Sequence, residues 1–184
     1  MKRKHALVVG GTGMLSDVTL WLVKKGYEVS VIGRRKERYH QLMQKAEHPE
    51  RISSILVDYH HTDELRDKLM EAIDQRGSFD LIIAWIHSTA KEAIPVIMDA
   101  QSRSGRKRNF DFFHVKQSQA YFTNHMPECL PICNYHEIFL GFKIDGGHSR
   151  WLTHREISEG VMDSVHHGRE QTIVGQVEPW ELHP

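Results

Sequence analysis

The residues whose chemistry is easiest to interpret form a glycine cluster at 9–16, Val-Gly-Gly-Thr-Gly-Met-Leu-Ser. The cluster follows an apolar run and precedes a segment of helical periodicity, which predicts a turn between a strand and a helix. Glycines allow a tight turn there, and the free N–H groups and dipole of the helix favour an anion. In the dinucleotide pattern G-x-G-x-x-G, Gly11 and Gly13 fill the first two positions and Ser16 fills the third. The residues expected at a bound pyrophosphate are Gly10, Gly11, Thr12, Gly13, Met14 and Leu15. The alternative interpretation is a glycine-rich connection that binds nothing.

Two arginines at the end of the second apolar run bear on which dinucleotide would bind. NAD-binding proteins usually carry an acidic residue at this position, whereas NADP-binding proteins carry basic residues for the 2′-phosphate. The chain has Arg34 and Arg35 there, and its next acidic residue is Glu37. Guanidinium groups pair well with phosphate, and cations at a helix start oppose the helix dipole unless an anion is near. The sequence therefore predicts NADP(H) in preference to NAD(H); ordinary surface charges are the alternative.

These residues need a scaffold that brings strand ends together, and the rest of the chain has the matching pattern. Apolar runs alternate with segments of helical period, which predicts stacked βα units. The predicted fold class is α/β, a doubly wound Rossmann fold with a mainly parallel sheet flanked by helices, in the strand order 3-2-1-4-5-6. Strands are expected at 5–9, 28–32, 52–57, 80–86, 110–115 and 137–144, with helices at 14–25, 36–47, 62–75, 90–101 and 154–166. The segment 171–180 is a candidate for a last strand, and a short helical piece is expected near 119–124.

Capping signals define two helix starts in the second half of the chain. Thr89 with Glu92 and Thr153 with Glu156 both have the spacing of a capping box. Pro95 falls inside the first of these helices, so we expect a kink or a shortened start there.

Length, charge and cysteine content restrict the class of protein. The 184 residues suit a single NAD(P)-binding Rossmann domain over 1–184. Basic and acidic residues are balanced at 24 each, which argues against nucleic-acid and membrane-surface partners. The basic run at 103–109 is expected to be a solvated loop at the amino edge of the sheet, away from any ligand. Cys129 and Cys133 are too few and wrongly spaced for a disulfide framework, and the histidines show no metal-ligand spacing. We predict a cytoplasmic protein without a metal site.

Several stretches together resemble the short-chain dehydrogenases/reductases. The turn VVGGTGMLS is similar to that family's V-T-G-x-x-G-x-x-G turn, with Gly10, Gly13 and Ser16 at the three glycine positions. The stretch VIGRR is similar to the family's NADP-type second strand, and SRWLTHREISEGVMDSV to its last helix. From LVDYHHTDEL the resemblance implies that Asp58 contacts the adenine and Tyr59 flanks it. The stretch AWIHSTA stands where the family has an Asn-Ala-Gly turn, which adds Ala84 and Trp85 to the implied cofactor site.

The family's catalytic groups are not found in this sequence. The resemblance implies a Tyr-x-x-x-Lys pair, but none of the five tyrosines has a lysine four residues later. Other polar residues follow the fourth and fifth strands, whose carboxyl ends face the expected nicotinamide position. These catalytic candidates are His87, His114, Lys116 and Ser118. His114 and Lys116 should share one face if the fifth strand continues past 115.

Two main functional hypotheses follow, and a plain nucleotide or metabolite binder is a further alternative. The first is an NADP(H)-binding oxidoreductase like the short-chain dehydrogenases/reductases, with a nonstandard active site and an unknown small-molecule substrate. The second is a non-catalytic NADP(H)-binding sensor or regulatory module, since the Tyr-x-x-x-Lys pair is missing. The sequence does not decide whether the protein is an enzyme, and the resemblance is compatible with a homo-oligomer of unspecified size.

Overall fold

The computed structural model describes residues 1–123 and 125–184. Its strands are β1 (His5–Val9), β2 (Glu28–Gly33), β3 (Ile52–Leu56), β4 (Leu81–Trp85), β5 (Phe110–Gln117), β6 (Cys133–Leu140), β7 (Phe142–Asp145), β8 (His148–Trp151) and β9 (Gln171–Val174). Its helices are α1 (Ser16–Lys24), α2 (Lys36–Lys45), α3 (Thr62–Arg76), α4 (Ala93–Arg103) and α5 (His154–His167), with 3₁₀ turns at Pro49–Arg51, Ser118–Phe122 and Trp180–Leu182. Parallel strands form one sheet in the order β3-β2-β1-β4-β5-β6-β9, which confirms the predicted fold class, strand order and terminal strand.

The centre of the sheet is β1, which lies between β2 and β4. All five of its side chains are buried, as expected for a parallel strand covered on both faces. Leu7 and Val9 pack into the core under α3 and α4, whereas Ala6 and Val8 pack into the core under α1 and α5. Because the strand order reverses beside β1, a crevice is expected at the carboxyl ends of β1 and β4.

The first helix buries the face that its periodicity predicts. Leu15, Val18 and Leu22 are all fully buried, and each such side chain stabilises the fold by about 1.5–3 kcal/mol. The helix ends before Gly26, whose φ of +94° is a conformation that other residues adopt at a cost.

One of the two predicted capping boxes forms. The Glu156 N–H donates to the Thr153 hydroxyl at 3.2 Å, and the Thr153 N–H donates to the Glu156 carboxylate at 2.9 Å. The cap at Thr89 was predicted wrongly, because its hydroxyl bonds two imidazoles, those of His60 and His87, each at 2.8 Å. The helix that Thr89 was expected to open begins only at Ala93.

The late start of α4 is the shortened start expected from its proline. Pro95 lies in the first helical turn, where its missing N–H is not needed.

The predicted sixth strand at 137–144 is wrong in its bounds. The strand β6 ends at Leu140, and at the next residue, Gly141, the main chain of Gln176 passes so close that no Cβ would fit. The N–H groups of Phe142 and Gln176 each donate to the other's carbonyl at 2.9 Å. The chain then turns away into the antiparallel pair β7–β8, whose turn contains the predicted glycines 146 and 147.

Two further loop predictions need comment. The loop at 103–109 is not fully solvated, because the side chain of Arg106 is 6% exposed and its guanidinium donates to Asp80 at 3.0 Å. This ion pair ties the loop to the amino end of β4. The 3₁₀ turn Ser118–Phe122 covers most of the short helical piece predicted near 119–124, and Asn124 lies outside the described residues. No helix in the described part of the chain has the length and apolar character needed to cross a membrane.

Candidate functional site

The glycine turn, residues 10–15, is built so that its main chain stays close to two strands. Gly10 has a φ of +89°, and its carbonyl accepts from the N–H groups of Gly13 at 3.2 Å and Leu15 at 3.1 Å. A Cβ at Gly11 would lie 2.6 Å from the Thr19 hydroxyl and 2.9 Å from a methyl of Val31. The first residues of the turn therefore have to be small for the helix to pack on the sheet.

Two main-chain donors of the turn lack a partner among the described residues. Within residues 1–123 and 125–184, the N–H groups of Thr12 and Met14 have no hydrogen-bond acceptor. The helix α1 begins at Ser16, and its capping residue Leu15 provides no side-chain cap. Uncapped N–H groups and the positive end of the helix dipole together favour an anion at this place.

Three arginines follow β2, and one of them lies against the glycine turn. The Nη1 atom of Arg38 would be 3.3 Å from a Cβ on Gly13, so its guanidinium lies against the glycine turn. The Nη1 atom of Arg34 is 3.8 Å from a carboxylate oxygen of Asp58. Arg35 occupies the N-terminal capping position of α2. Sequence reasoning missed Arg38, although its position one helical turn after Arg35 places the two side chains on the same side of the helix.

The residues predicted at the adenine, Asp58 and Tyr59, lie at the end of β3. One Asp58 oxygen accepts from the His60 main-chain N–H at 3.0 Å and contacts the His60 imidazole at 2.7 Å. These hydrogen bonds hold the pKa of the Asp58 carboxyl below its usual range, so it remains a charged acceptor. The Tyr59 hydroxyl accepts from the His87 N–H at 3.0 Å. The loops after β3 and β4 are thereby joined into one wall.

A cleft of about 420 Å³ lies at the carboxyl ends of β4, β5 and β6. Its inner part is formed by Met14 of the glycine turn, Trp85 of β4, Ser118 after β5 and Gly141 after β6. Trp85 lies directly against Gly10, at 3.5 Å from the position of a Cβ there. The glycine turn and the cleft are therefore continuous, with Ala84 fully buried beneath them.

The outer part of the cleft is an aromatic wall, formed by Trp151, Trp180 and His183. The rings of Trp180 and His183 stack at a centroid distance of 4.1 Å and an angle of 11°. The ring of Phe122 meets Trp180 edge-on at 5.3 Å. Sequence reasoning missed Trp180 and His183, because they belong to a tail that returns to the cleft from a distant part of the chain.

The catalytic candidates are divided between three places. Ser118 lines the cleft, and its hydroxyl has no hydrogen-bond partner among the described residues. His87 belongs to the joined loops beside Tyr59. His114 and Lys116 share one face of β5, as expected, but this face points into the opposite core.

The pair on the opposite face has its own partners. His114 Nδ1 lies 2.8 Å from the Tyr135 hydroxyl, and burial, with a smaller effect of Lys116, lowers the pKa of His114 to about 3. The Lys116 ammonium donates to the Glu137 carboxylate at 2.6 Å. Neither side chain is placed to act on a ligand in the cleft. In the part of the chain that the structure describes, no three His, Cys, Asp or Glu side chains converge on a possible metal position.

Comparisons with known proteins identify the fold. No protein-family model matches the sequence, and no curated protein matches it either. A solved short-chain dehydrogenase/reductase from Brucella melitensis is similar with a TM-score of 0.69 and 12% identity, over 94% of this chain and 96% of that chain. An actinorhodin polyketide ketoreductase solved with NADPH has a TM-score of 0.70 and 12% identity, over 96% and 98%.

A third similar structure is a blue fluorescent protein from a metagenomic library, solved in complex with NADPH. Its TM-score is 0.70 at 14% identity, over 95% of this chain and 97% of that chain. At these identities the likeness establishes that the chain has the Rossmann-like fold of short-chain dehydrogenase/reductase structures.

Proposed function

We propose that the chain is an NADP(H)-binding member of the short-chain dehydrogenases/reductases, an oxidoreductase with a nonstandard active site. The observation that carries this proposal is the continuity of three features: the open amides of the glycine turn, the arginines beside it, and the cleft that begins at Met14. Similar structures solved with NADPH support the choice of cofactor. All the parallel strands belong to one sheet, which supports a single dinucleotide-binding domain over 1–184.

The residues present fit each part of the dinucleotide. The N–H groups of Thr12 and Met14 would hold the pyrophosphate, because they have no acceptor among the described residues and belong to the turn that leads into the positive end of α1. Arg34, Arg35 and Arg38 would bind the 2′-phosphate, since a guanidinium offers paired donors to phosphate oxygens.

The adenine and nicotinamide ends have matching partners. Asp58 would accept a hydrogen bond from the adenine amino group, with Tyr59 alongside. Ala84 and Trp85 would back the cofactor at the end of β4. When bound in its reduced form, the cofactor supplies a hydride to a carbonyl carbon.

Two groups in the cleft are suited to orient a carbonyl and hold a proton. The Ser118 hydroxyl, which has no partner among the described residues, can donate a hydrogen bond to a carbonyl oxygen. The His183 imidazole lies at the outer wall and can hold or release a proton. Lys116 does not take the family lysine's place, because its ammonium is buried against Glu137.

That burial favours a second candidate function, a non-catalytic NADP(H)-binding sensor or regulatory module. In this alternative the cofactor binds as above, and the cleft binds no substrate that is reduced. One experiment separates the two functions: NADPH is incubated with the protein and a broad carbonyl panel, and absorbance at 340 nm is followed. Turnover of any panel member supports the oxidoreductase, whereas NADPH binding with no turnover supports the sensor.

Cofactor binding itself is tested by calorimetric titration of NADP and NAD. Arg38→Ala is compared with Arg108→Ala, because Arg108 has a side chain 85% exposed at the other edge of the sheet. Failure of the folded wild-type protein to bind either dinucleotide would overturn both functions.

A further inference from the structure

The cleft concentrates the chain's tryptophans. The sequence has four, and three of them, Trp85, Trp151 and Trp180, line this one cavity. The fourth, Trp21, lies on α1 and packs against the core under that helix. Tryptophan offers a large flat apolar surface, and its ring face attracts other aromatic rings in offset or edge-on arrangements. The clustering therefore indicates a ligand that presents a flat ring.

The described residues that line the cleft include no Asp, Glu, Lys or Arg. Among the described residues that line it, His183 is the one titratable side chain, and the others are apolar, amide, hydroxyl or glycine groups. A carboxylate or phosphate placed here would lose its hydration without gaining a cationic partner, which is unfavourable. The walls consequently select against anionic substrates.

The aromatic wall has ring surface that is still open to solvent. Trp151 is 52% exposed and Phe122, which contacts Trp180, is 49% exposed. Exposed aromatic surface grouped at the mouth of a cleft is typical of a ligand-binding groove. A flat ligand that slides along Trp151 and Trp180 would cover this surface.

The inner end of the cleft supplies one polar anchor. Ser118 is 4% exposed, and its hydroxyl has no hydrogen-bond partner among the described residues. A carbonyl oxygen that reaches the end of β5 would accept from this hydroxyl. A cavity of about 420 Å³ lies toward the small end of ligand pockets, which suits one or two fused rings.

We infer that the cleft takes a neutral, planar aromatic carbonyl compound, with its ring against Trp151 and Trp180 and its carbonyl oxygen toward Ser118. The inference rests on the proposed function, because the same cleft must also receive the nicotinamide. It goes further by naming the substrate class: uncharged, flat and aromatic.

Three matched probes test this inference by calorimetry on the protein saturated with NADP. The first probe, 2-acetylnaphthalene, is neutral and planar; 2-naphthoate keeps the rings but carries a charge; cyclohexyl methyl ketone keeps the carbonyl but is not planar. We expect 2-acetylnaphthalene to bind about tenfold more tightly than either of the others, since stacking and avoided desolvation each contribute at this level.

Substitutions in the aromatic wall test whether 2-acetylnaphthalene binds there. Trp180→Ala and Trp151→Ala should each weaken 2-acetylnaphthalene about tenfold, whereas Trp21→Phe should leave its affinity unchanged. NADP affinity is measured on every variant, and each acetylnaphthalene titration is made at saturating NADP, so that the comparison reports the aromatic wall and not cofactor binding. Two wall variants are used so that the test survives if one of them does not fold.

The outcomes separate this inference from the proposed function. If NADP binds but the naphthoate or the cyclohexyl ketone binds as tightly as the acetylnaphthalene, the inference is wrong and the proposed function stands. The inference is equally overturned if the folded wall variants bind the acetylnaphthalene like wild type. If the folded protein does not bind NADP, the proposed function fails first.

Discussion

The substitution Gly11→Ala tests whether packing against the sheet requires a glycine in the turn. Its main chain is not in the left-handed region, so Gly11→Ala introduces no backbone strain. The added methyl group would lie 2.6 Å from the Thr19 hydroxyl and 2.9 Å from methyl groups of Val8 and Val31. All three contacts are well inside the optimal separation of about 3.5–4.0 Å.

The cost can be worked from these contacts. Forcing a methyl group into a well-packed core costs about 1–3 kcal/mol. The bond from the Thr19 hydroxyl to the Gly11 carbonyl, 3.1 Å long, would also be displaced, and a hydrogen bond contributes about 1 kcal/mol. We expect the free energy of unfolding to fall by about 2–4 kcal/mol in total. For a chain of this size that lowers Tm by roughly 5–15 °C.

The assay is thermal unfolding followed by circular dichroism, with Thr19→Ala as the matched variant. In the double variant Gly11→Ala/Thr19→Ala the shortest contact is absent. Its loss in free energy of unfolding should therefore be about 1 kcal/mol smaller than the sum of the losses in the two single variants. NADP affinity should fall in Gly11→Ala, because the turn must shift. If Gly11→Ala melts within about 1 °C of wild type, the packing argument is refuted.

Three other perturbations have defined outcomes. Arg38→Ala should weaken NADP by about tenfold or more while NAD binding changes little, because the proposed partner of this guanidinium is the extra phosphate; calorimetry checks this, and an equal loss for both dinucleotides would contradict it. Burial lowers the pKa of His5 to about 4, so the folded state favours its neutral form. The stabilisation that comes from neutral His5 is fully present above pH 6.5 and is lost as pH falls from 6.5 toward 4. Denaturant titrations should show the free energy of unfolding decreasing by on the order of 1–3 kcal/mol over this range, and His5→Gln should reduce this pH dependence. Lys116→Met should destabilise by about 3–5 kcal/mol, because the Glu137 carboxylate would stay buried without its partner. The double variant with Glu137→Leu should recover most of that loss with unchanged NADP affinity, and a double variant no more stable than Lys116→Met would argue against the pairing.

Local patterns were enough to predict the scaffold around the glycine turn. The apolar run of β1, the glycines after it and the helical face of Leu15, Val18 and Leu22 are all encoded within twenty residues. Each element is defined by its own periodicity, and the parallel order follows from the alternation of strands and helices. The predicted order and fold class are confirmed for this reason.

Long-range choices could not be predicted in the same way. The spacing of Thr89 and Glu92 fits a cap, but nothing in the spacing reveals that imidazoles from another loop compete for the Thr89 hydroxyl. Strand alternation correctly placed His114 and Lys116 on one face, yet it could not tell which core that face would enter. The aromatic wall depends on a tail that returns across the sheet, for which the sequence has no local signal.

That return is made at Gly141, where the tail crosses so closely that only glycine fits and where two main-chain hydrogen bonds join Phe142 to Gln176. Because these hydrogen bonds join backbone atoms, they do not depend on which side chains follow Gln176. Side chains from 178 to 184 can therefore be changed without moving the point from which the tail starts, whereas Val177 is buried in the core. Substitutions at Trp180 or His183 would accordingly reshape the cleft while leaving the glycine turn as it is.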